Sequence, residues 1–427
     1  MSPHVVTYEL ENGLRVVAVA LPHLHTATIG VFVRVGSRFE APSDNGLSHF
    51  VEHMLFRGSD AYPTSRDLAF AIESLGGTLD AETGRDLSLF HITVEPTLID
   101  SGLALLGEVV SRPRLGEIDL ERSIIIEEMR EDYDEDGVET HGEDIVRGLL
   151  FGDHPLGQRV IGSEANVRRF GEADLRRHLA RHYCAENMLV CVAGPVAPGD
   201  VVASARAHMS ALPAGQVVAA PPLSFDQAGV RYRYIARGGS QTDVHVLFRA
   251  VPDIDPDYMA SVGLLRAIDD GMSTPLHYEL CDRRGLAYSV GALIEPLADT
   301  ALLDLSSSTG SANVSALLRG MLELVGRFRT DLVTAAELTR IKRRYRNDLF
   351  AAMDDGYAMA NWFGGTMLYY PPPDLDQRLA QMDSISAHDI REVARRILCP
   401  DHLAIAVVGR LSKARQGEVR EIVNTWR

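Results

Sequence analysis

His49, Glu52 and His53 are the residues whose types and spacing most directly suggest chemistry. Residues 43–58 predict a helix, because Ser, Asp and Asn stand at its start, Gly stands just past its end, and apolar residues recur at i, i+3 and i+4. At about 100° per residue, the two imidazoles lie roughly 40° apart and opposite the apolar stripe, with Glu52 nearby. Two histidines at i and i+4 can bind one tetrahedral Zn²⁺, and the adjacent carboxylate can act as a base on water. The alternative is a solvated polar face that happens to hold two histidines.

A second helical pattern, residues 117–132, offers a third ligand. Glu121 and Glu128 are two turns apart and lie on one side, beside Ile125, whereas Glu127 points roughly 100° away. A carboxylate on an apolar stripe is costly unless it is paired or binds a metal. We therefore predict Glu128 as the third ligand and Glu121 as a hydrogen-bond partner that orients a ligating histidine. Without the histidine pair, two surface glutamates would be the default interpretation.

The HFVEH motif, followed much later by Glu128, resembles the inverted zinc-protease motif of the pitrilysin/insulinase family, the inverzincins. The resemblance extends along most of the chain, through the segments GLSHFVEHMLFRGSDAYP, SLGGTLDAETGRD, HPLGQRVIGSE, RHYCAENMLVCVAGPV and GMSTPLHYELCDRRGLAYSV. The length fits the subfamily whose subunits carry two related domains and pair up, which includes mitochondrial processing peptidase and many bacterial peptidases. The resemblance implies one Zn²⁺ per chain and cleavage of unfolded peptides or leader segments inside a clamshell chamber.

An internal repeat sets the expected domain organisation. LRRHLARHYCAENMLVCVAG parallels IREVARRILCPDHLAIAVVG, and TIGVFVRV parallels DVHVLFRA at the same offset. One offset at both ends of the unit indicates tandem duplication. We expect an N-terminal zinc-binding catalytic domain at 1–212, a linker at 213–227 and a homologous C-terminal domain without metal at 228–427. Alternating strand patterns with short turns and long helical patterns predict an α+β fold, in which helices cover one side of a largely antiparallel sheet in each domain.

The second half lacks the metal-binding groups, since the offset aligns the histidines and Glu52 with apolar residues (Leu264, Ala267 and Ile268). In the family, such a half contributes an Arg and a Tyr to the substrate carbonyl. Tyr288 matches the family Tyr, but Cys281 stands where the Arg is expected. The chain is then the catalytic half of a heterodimer, its sister subunit keeping the Arg and Tyr. A homodimer that uses Arg283 or Arg284 is the competing interpretation, and a local misalignment is the third.

The segment SLGGTLDAETG contains the residues that the family pairs with substrate. The resemblance implies that Asp80, Ala81 and Glu82 lie in an edge strand and bind the substrate backbone by β-augmentation. The family usually shows Asn at the position of Asp80. Two acidic side chains there would favour basic substrate residues, although charge on an edge strand also protects it from aggregation.

Composition narrows the functional classes. A chain of 427 residues allows about two domains, and its net charge of −17 argues against nucleic acid as a partner. The start lacks a signal-peptide pattern, and no apolar run long enough to cross a bilayer occurs, so we predict a cytoplasmic protein without a membrane partner. Four scattered cysteines indicate free thiols.

Two functional classes fit these observations. The first is a zinc endopeptidase, and the second is a non-proteolytic core subunit of the same family, such as those in respiratory complexes. A scaffold has no reason to retain His49, Glu52, His53 and Glu128 together. The endopeptidase is therefore the predicted function, with its natural substrate and cleavage preference left open.

Overall fold

The computed structural model describes residues 3–427 and divides the chain into two compact units. Unit 1 comprises Met1–Met129, Gln158–Pro221 and Asn347–Asp376. Unit 2 comprises Arg130–Gly157, Pro222–Arg346 and Gln377–Arg427. Each unit contains one mixed, mostly antiparallel sheet packed against helices, so the predicted α+β class is confirmed.

The secondary-structure elements have the following bounds. The strands are β1 His4–Glu9, β2 Arg15–Ala20, β3 Ala27–Val33, β4 Leu79–Thr83, β5 Ser88–Val94, β6 Met188–Gly194, β7 Arg231–Ala236, β8 Gln241–Ala250, β9 Val290–Pro296, β10 Ala301–Gly310 and β11 Leu403–Gly409. The α-helices are α1 Leu47–Leu55, α2 Ser65–Ser74, α3 Ile99–Ser111, α4 Ile118–Met129, α5 Gly142–Phe151, α6 Glu164–Arg169, α7 Glu172–His182, α8 Pro198–Met209, α9 Tyr258–Ile268, α10 Pro275–His277, α11 Val314–Arg327, α12 Ala335–Met353, α13 Gly356–Met367, α14 Leu375–Ser384, α15 Ala387–Ile397 and α16 Lys413–Thr425. A π-helix, Tyr278–Arg283, continues α10, and 3₁₀ turns cover Ser37–Phe39, Pro96–Leu98, Arg130–Asp132, Pro155–Gly157, Ala185–Asn187 and Pro400–His402.

The sheet of unit 1 has the strand order β1-β2-β6-β3-β5-β4 within the described residues. The β2–β6 pair is parallel and its other pairs are antiparallel. The central strands β3 and β6 are buried along their whole length, which explains their near-continuous apolar sequences. Helices α1, α3, α4 and α8 share the core on one face, where Val31, Phe50 and Val190 are fully buried. Strand β4 ends the sheet and leaves one edge unpaired there.

The sheet of unit 2 has the strand order β7-β11-β8-β10-β9 within the described residues. Its parallel pair is β7–β11 and its other pairs are antiparallel. Helices α9, α11 and α15 cover one face, where Val246, Leu303 and Ile405 are fully buried. This arrangement repeats that of unit 1, as the tandem sequence pattern predicts.

The repeat is visible at matched glycines. Gly194 ends β6 and Gly409 ends β11, with φ angles of 154° and 155°. A Cβ atom on Gly194 would lie 2.7 Å from Ala27, and one on Gly409 would lie 2.5 Å from Thr242. Both strand ends therefore approach a neighbouring backbone too closely for any other residue, and the same constraint acts in both copies.

Each unit also receives a helix from a distant part of the chain, on the sheet face opposite the core. In unit 1, α13 packs on β2, β3 and β6. In unit 2, α5 packs on β7, β8 and β11 through a separate apolar cluster that includes Val146 and Leu247. The segments 130–157 and 347–376 thus pack with the sheet formed by the other sequence half. The boundaries at 213–227 describe the sequence repeat and stay a prediction.

Arginines hold the C-terminal ends of these two helices. Arg15 donates to the carbonyl oxygens of Met367 at 2.5 Å and Leu368 at 3.2 Å, and Arg34 donates to Leu368 at 2.9 Å. In unit 2, Arg231 donates to the carbonyls that close α5, those of Leu149 (2.9 Å) and Leu150 (3.2 Å). The last carbonyls of a helix lack partners within the helix, and cationic side chains stabilise that end.

The chain has no helix among residues 3–427 that combines the length and apolarity needed to cross a membrane. The four cysteines are free thiols.

Because α13 packs closely on β3, adding one methyl group to α13 should destabilise the protein. A Cβ on Gly364 would lie 2.2 Å from the buried ring of Phe32. We expect Gly364→Ala to destabilise the protein by about 1–3 kcal/mol through overpacking. Gly417→Ala in α16 is the matched control, because no described atom lies within 4 Å of its added methyl group. The control should stabilise by up to about 1 kcal/mol through helix propensity. Thermal unfolding measures both, and equal melting temperatures would contradict the packing described.

Candidate metal centre

Helix α1 is capped differently from the sequence prediction. It spans Leu47–Leu55, shorter than the predicted 43–58, and its N-cap is Gly46, with φ 105° and no side-chain cap. The interpretation of Ser, Asp and Asn at 43–45 as the caps was therefore wrong. The carboxylate of Glu40, 4% exposed, instead accepts hydrogen bonds from the backbone N–H groups of Gly46 at 2.8 Å and Ser48 at 2.6 Å. The buried first turn needs acceptors for its N–H groups, and Glu40 supplies them.

Three ligand atoms converge where α1 faces α4. The Nε2 atom of His49 lies 3.6 Å from Oε1 of Glu128, and Nε2 of His53 lies 3.5 Å from Oε2 of the same carboxylate. The ligand atoms of the three residues all lie within 4.8 Å of one another. Tetrahedral ligands at zinc bond lengths are separated by about 3.4 Å. Two imidazoles and one carboxylate at these separations are a donor set that could hold a zinc ion.

The orientation of His53 is fixed by Glu121. Nδ1 of His53 lies 2.7 Å from Oε1 of Glu121, and Nε of Arg57 donates to the other carboxylate oxygen. Burial alone would raise the pKa of Glu121, but the hydrogen bonds from His53 and Arg57 lower it. The ionised carboxylate thus accepts a hydrogen bond from Nδ1–H and leaves Nε2 directed at Glu128. This is the position in which the sequence analysis expected Glu121.

The pKa values of the two histidines move in opposite directions. Burial lowers the pKa of His49 to about 4, which favours the neutral imidazole that a metal needs. Burial also lowers the pKa of His53, but its hydrogen bonds to Glu121 and Glu128 outweigh that effect and raise the pKa to about 9. The hydrogen bond from His53 lowers the pKa of Glu128. Without a metal, His53 is therefore protonated at neutral pH beside the ionised Glu128, and a cation bound there would displace the His53 proton.

Glu52 lies on the same helix but outside the group of three ligand atoms. Burial raises the pKa of Glu52. Thr83, at the end of β4, is a polar neighbour that acts to lower the pKa of Glu52. A carboxylate that is partly desolvated and beside a potential metal site is suited to accept a proton.

Asp80, Ala81 and Glu82 lie in the edge strand β4. The side chains of Asp80 and Glu82 are exposed, while Ala81 is half-buried and packs against the core. Asp80 pairs across the sheet with His91, whose ring stacks on Tyr357 at 4.5 Å. The edge strand thus presents two acidic side chains on one face.

The predicted oxyanion residues lie in unit 2. Tyr288 is 97% exposed, and Cys281 belongs to the π-helix that precedes it, half-buried against the core of unit 2. Arg283 pairs with Glu279 at 2.9 Å, and the guanidinium of Arg284 packs where a Cβ of Gly320 would lie, on α11. Both arginines that could substitute for the family Arg are exposed residues of unit 2.

Three residues near the candidate site were not predicted from the sequence: Glu40, Arg57 and Thr83. Thr83 had a usable signal, because strand alternation places it on the same face as Ala81, two residues before it. Arg57 lies one turn beyond His53 and could have been considered as a partner for Glu121. Glu40 gave no signal, since a loop separates it from the helix that it caps.

Each half of the chain matches a known protein-family model. Residues 15–164 match the insulinase (peptidase family M16) model, and residues 169–345 match the peptidase M16 inactive domain model. An uncharacterized zinc protease of Mycobacterium tuberculosis is 30% identical over 398 residues, covering 91% of this chain and 90% of that protein. A probable mitochondrial-processing peptidase subunit beta of Arabidopsis thaliana is 28% identical, covering 96% of this chain and 79% of that protein.

Solved structures share the fold. A protease from Helicobacter pylori superposes with a TM-score of 0.88 at 21% identity, covering 96% of this chain and all of that chain. A chain of complex III2 from Candida albicans superposes with a TM-score of 0.79 at 16% identity, covering 97% of this chain. The two matched models, the extended identity and the two repeated sheets agree that this chain belongs to the insulinase family, peptidase family M16.

Proposed function

We propose that this protein is a zinc-dependent endopeptidase that hydrolyses unfolded peptides or leader segments, with one zinc ion per chain. The observation that carries the proposal is the convergence of His49, His53 and Glu128, with His53 oriented by Glu121. The relatives named zinc proteases support the same metal. His49, His53 and Glu128 are the proposed ligands, and Glu52 is the proposed base.

The roles of the side chains follow from their chemistry. When bound, zinc lowers the pKa of water toward neutrality and polarises a carbonyl group. Glu52 accepts the proton of the attacking water and passes it to the leaving amine nitrogen. Glu121 holds the proton on Nδ1 of His53, so that Nε2 keeps its lone pair for the metal.

The proposed substrate is an extended peptide that adds to the free edge of β4. Main-chain hydrogen bonds at Asp80, Ala81 and Glu82 would provide affinity for any unfolded chain, and pockets would provide preference. The exposed carboxylates of Asp80 and Glu82 favour basic side chains in the substrate.

The proposed active form is a dimer in which a homologous sister subunit completes the oxyanion site. Tyr288 is the proposed donor of this chain, and Cys281 supplies no cation. The missing cation at position 281 favours the heterodimer, and a homodimer in which Arg283 or Arg284 substitutes is the alternative.

A non-proteolytic core subunit is the second candidate, because the fold also matches a chain of complex III2 along nearly its whole length. The two candidates differ in metal content and turnover. Metal analysis of the purified protein, with peptide digestion before and after a chelator, distinguishes them.

The base is tested by Glu52→Gln. The amide keeps the size of the side chain but cannot accept the proton, so turnover should fall by several orders of magnitude while zinc content and peptide binding persist. Peptide digestion, metal analysis and a binding assay with the same peptide measure the three quantities. Retained turnover would remove Glu52 from this role.

The choice between neighbouring glutamates is tested by three matched substitutions. Glu128→Gln should strongly weaken zinc retention, whereas Glu127→Gln should leave zinc content unchanged. Glu121→Gln should lower zinc affinity by roughly 10–100-fold, because it removes the acceptor that orients His53. Zinc affinity is measured by competition with a chelator. Sensitivity at Glu127 instead of Glu128 would contradict the proposed ligand set.

The oxyanion proposal predicts slow peptide cleavage by the isolated chain. Removing one oxyanion donor typically costs about 10²–10³ in rate, so Cys281→Arg should raise the turnover of the isolated protein. Cys281→Ser is the control for loss of the thiol and should remain slow. A sister subunit with the Arg and Tyr should restore turnover to the unmodified chain. Full activity of the purified homo-oligomer, insensitive to Arg283→Ala and Arg284→Ala, would disprove this account.

A further inference from the structure

Resting on the proposed function only in that β4 receives an extended peptide, we propose that strand β9 offers a second edge for such a peptide. The carboxylate of Asp269 keeps that second edge closed. Both elements belong to unit 2, where Asp269 directly follows helix α9 and β9 is the last strand of the sheet.

Strands β4 and β9 occupy equivalent places in the two sheets. Ala81 lies directly across the sheet from Val31, with one strand between them, and Ala292 lies in the same way across from Val246. Val31 and Val246 are equivalent positions of the repeated segments TIGVFVRV and DVHVLFRA. Ala292 is therefore the structural counterpart of Ala81, a residue of the proposed substrate edge.

The backbone groups of both alanines point out of their sheets. The hairpins of β4 and β9 are closed by the N–H groups of Gly84 and Leu297, which donate across the turn at 2.8 Å and 2.9 Å. Hydrogen-bonded and non-hydrogen-bonded pairs alternate along an antiparallel ladder. Counted from each closing pair, Ala81 and Ala292 fall in non-hydrogen-bonded pairs. Their N–H and C=O groups thus face the side on which a further strand would add.

The N–H of Ala292 is already occupied. It donates to Oδ2 of Asp269 at 2.8 Å, at the place where the carbonyl oxygen of an added strand would have to lie. Pro296, a further outward-facing position of β9, has no N–H to donate. Among residues 3–427, the N–H of Ala81 has no hydrogen-bond partner outside its sheet. The first copy of the repeat leaves its edge open, and the second copy closes it.

Asp269 is held in place at the end of α9. It is the C-cap residue, and its N–H donates to the carbonyl of Leu265 at 2.7 Å. The next residue, Asp270, pairs with Arg266 at 3.2 Å and with Arg344 at 2.8 Å. A carboxylate at a helix C-terminus is unfavourable with respect to the helix dipole. Stabilisation of α9 therefore does not explain the charge of Asp269, whereas the hydrogen bond to the strand edge does.

Strand β9 would pair readily if its edge were open. Its sequence, VGALIEP, is largely apolar, and Leu293 is 51% exposed. Exposed apolar edge strands are templates for pairing with other chains. A peptide bound at β9 would lie on the copy of the repeat that lacks the candidate metal ligands. Closure of this edge confines extended peptides to the copy that carries them.

Hydrogen exchange of β4 and β9, with and without a proline-free peptide, tests the closed edge in the full-length protein. Every variant also carries Glu52→Gln to prevent turnover of the peptide. Without a further substitution, the peptide should slow exchange in β4 and leave β9 unchanged. In Asp269→Ala the N–H of Ala292 is free, so peptide at about ten times its Kd for this edge should slow exchange in β9 by about tenfold.

Two matched variants isolate the hydrogen bond. Asp269→Asn can still present an amide oxygen to Ala292 and should keep β9 unresponsive to the peptide. Asp269→Ala combined with Ala292→Pro lacks both the carboxylate and the donor, so β9 should again be unresponsive. Proline is tolerated at edge-strand positions whose N–H faces outward. Melting temperatures report on the fold of each variant.

Two results would overturn the closed edge. One is a peptide that slows exchange in β9 while Asp269 is intact, an outcome that can be observed even if Asp269→Ala does not fold. The other is a folded Asp269→Ala variant whose β9 ignores the peptide, since Asp269 would then only stabilise the strand. A peptide that leaves β4 unprotected would instead contradict the proposed substrate edge, and protection of β9 in Asp269→Ala would still support its closure by Asp269.

Discussion

The buried start of α1 is the constraint on which the candidate metal centre depends. This helix buries Leu47, Phe50 and Val51 and presents its histidines on the opposite face, so its first turn is buried. The carboxylate of Glu40 accepts hydrogen bonds from the N–H groups of this turn. A carboxylate is costly to bury unless it is fully hydrogen-bonded. Donors from Asn45, Gly46 and Ser48 meet that need. The cap holds the start of the helix that carries the candidate ligands His49 and His53.

Three glutamates around α1 have the same side chain and differ through their surroundings. Glu121 is buried between His53 and Arg57 and is held ionised by both. Glu128 is exposed and faces both imidazoles, which suits a ligand. Burial raises the pKa of Glu52, which suits proton transfer. The helix phase determines where the three carboxylates lie, and their different neighbours give them different pKa values.

The candidate site was largely accessible from the sequence because it depends on helix phase. The i, i+4 spacing of His49 and His53 and the two-turn spacing of Glu121 and Glu128 are local properties, and the structure brings these residues together. The strand pattern of β4 was equally local. The cap by Glu40 could not be predicted from the sequence pattern, because Glu40 lies in a loop that precedes α1. The packing of α5 and α13 was hidden for a related reason: periodicity reveals an apolar face but not which sheet covers it.

The two copies of the repeat show which constraints belong to the fold and which belong to chemistry. Both retain the strand-ending glycines and arginines that hold the end of a helix packed on the sheet. The counterpart of α1 is α9, where the positions that correspond to His49, Glu52 and His53 are apolar and at most 4% exposed (Leu264, Ala267 and Ile268). Those side chains belong to the core of unit 2. Imidazoles placed there would be buried among aliphatic side chains, so the second copy gained core packing at the positions where the first keeps an accessible polar face.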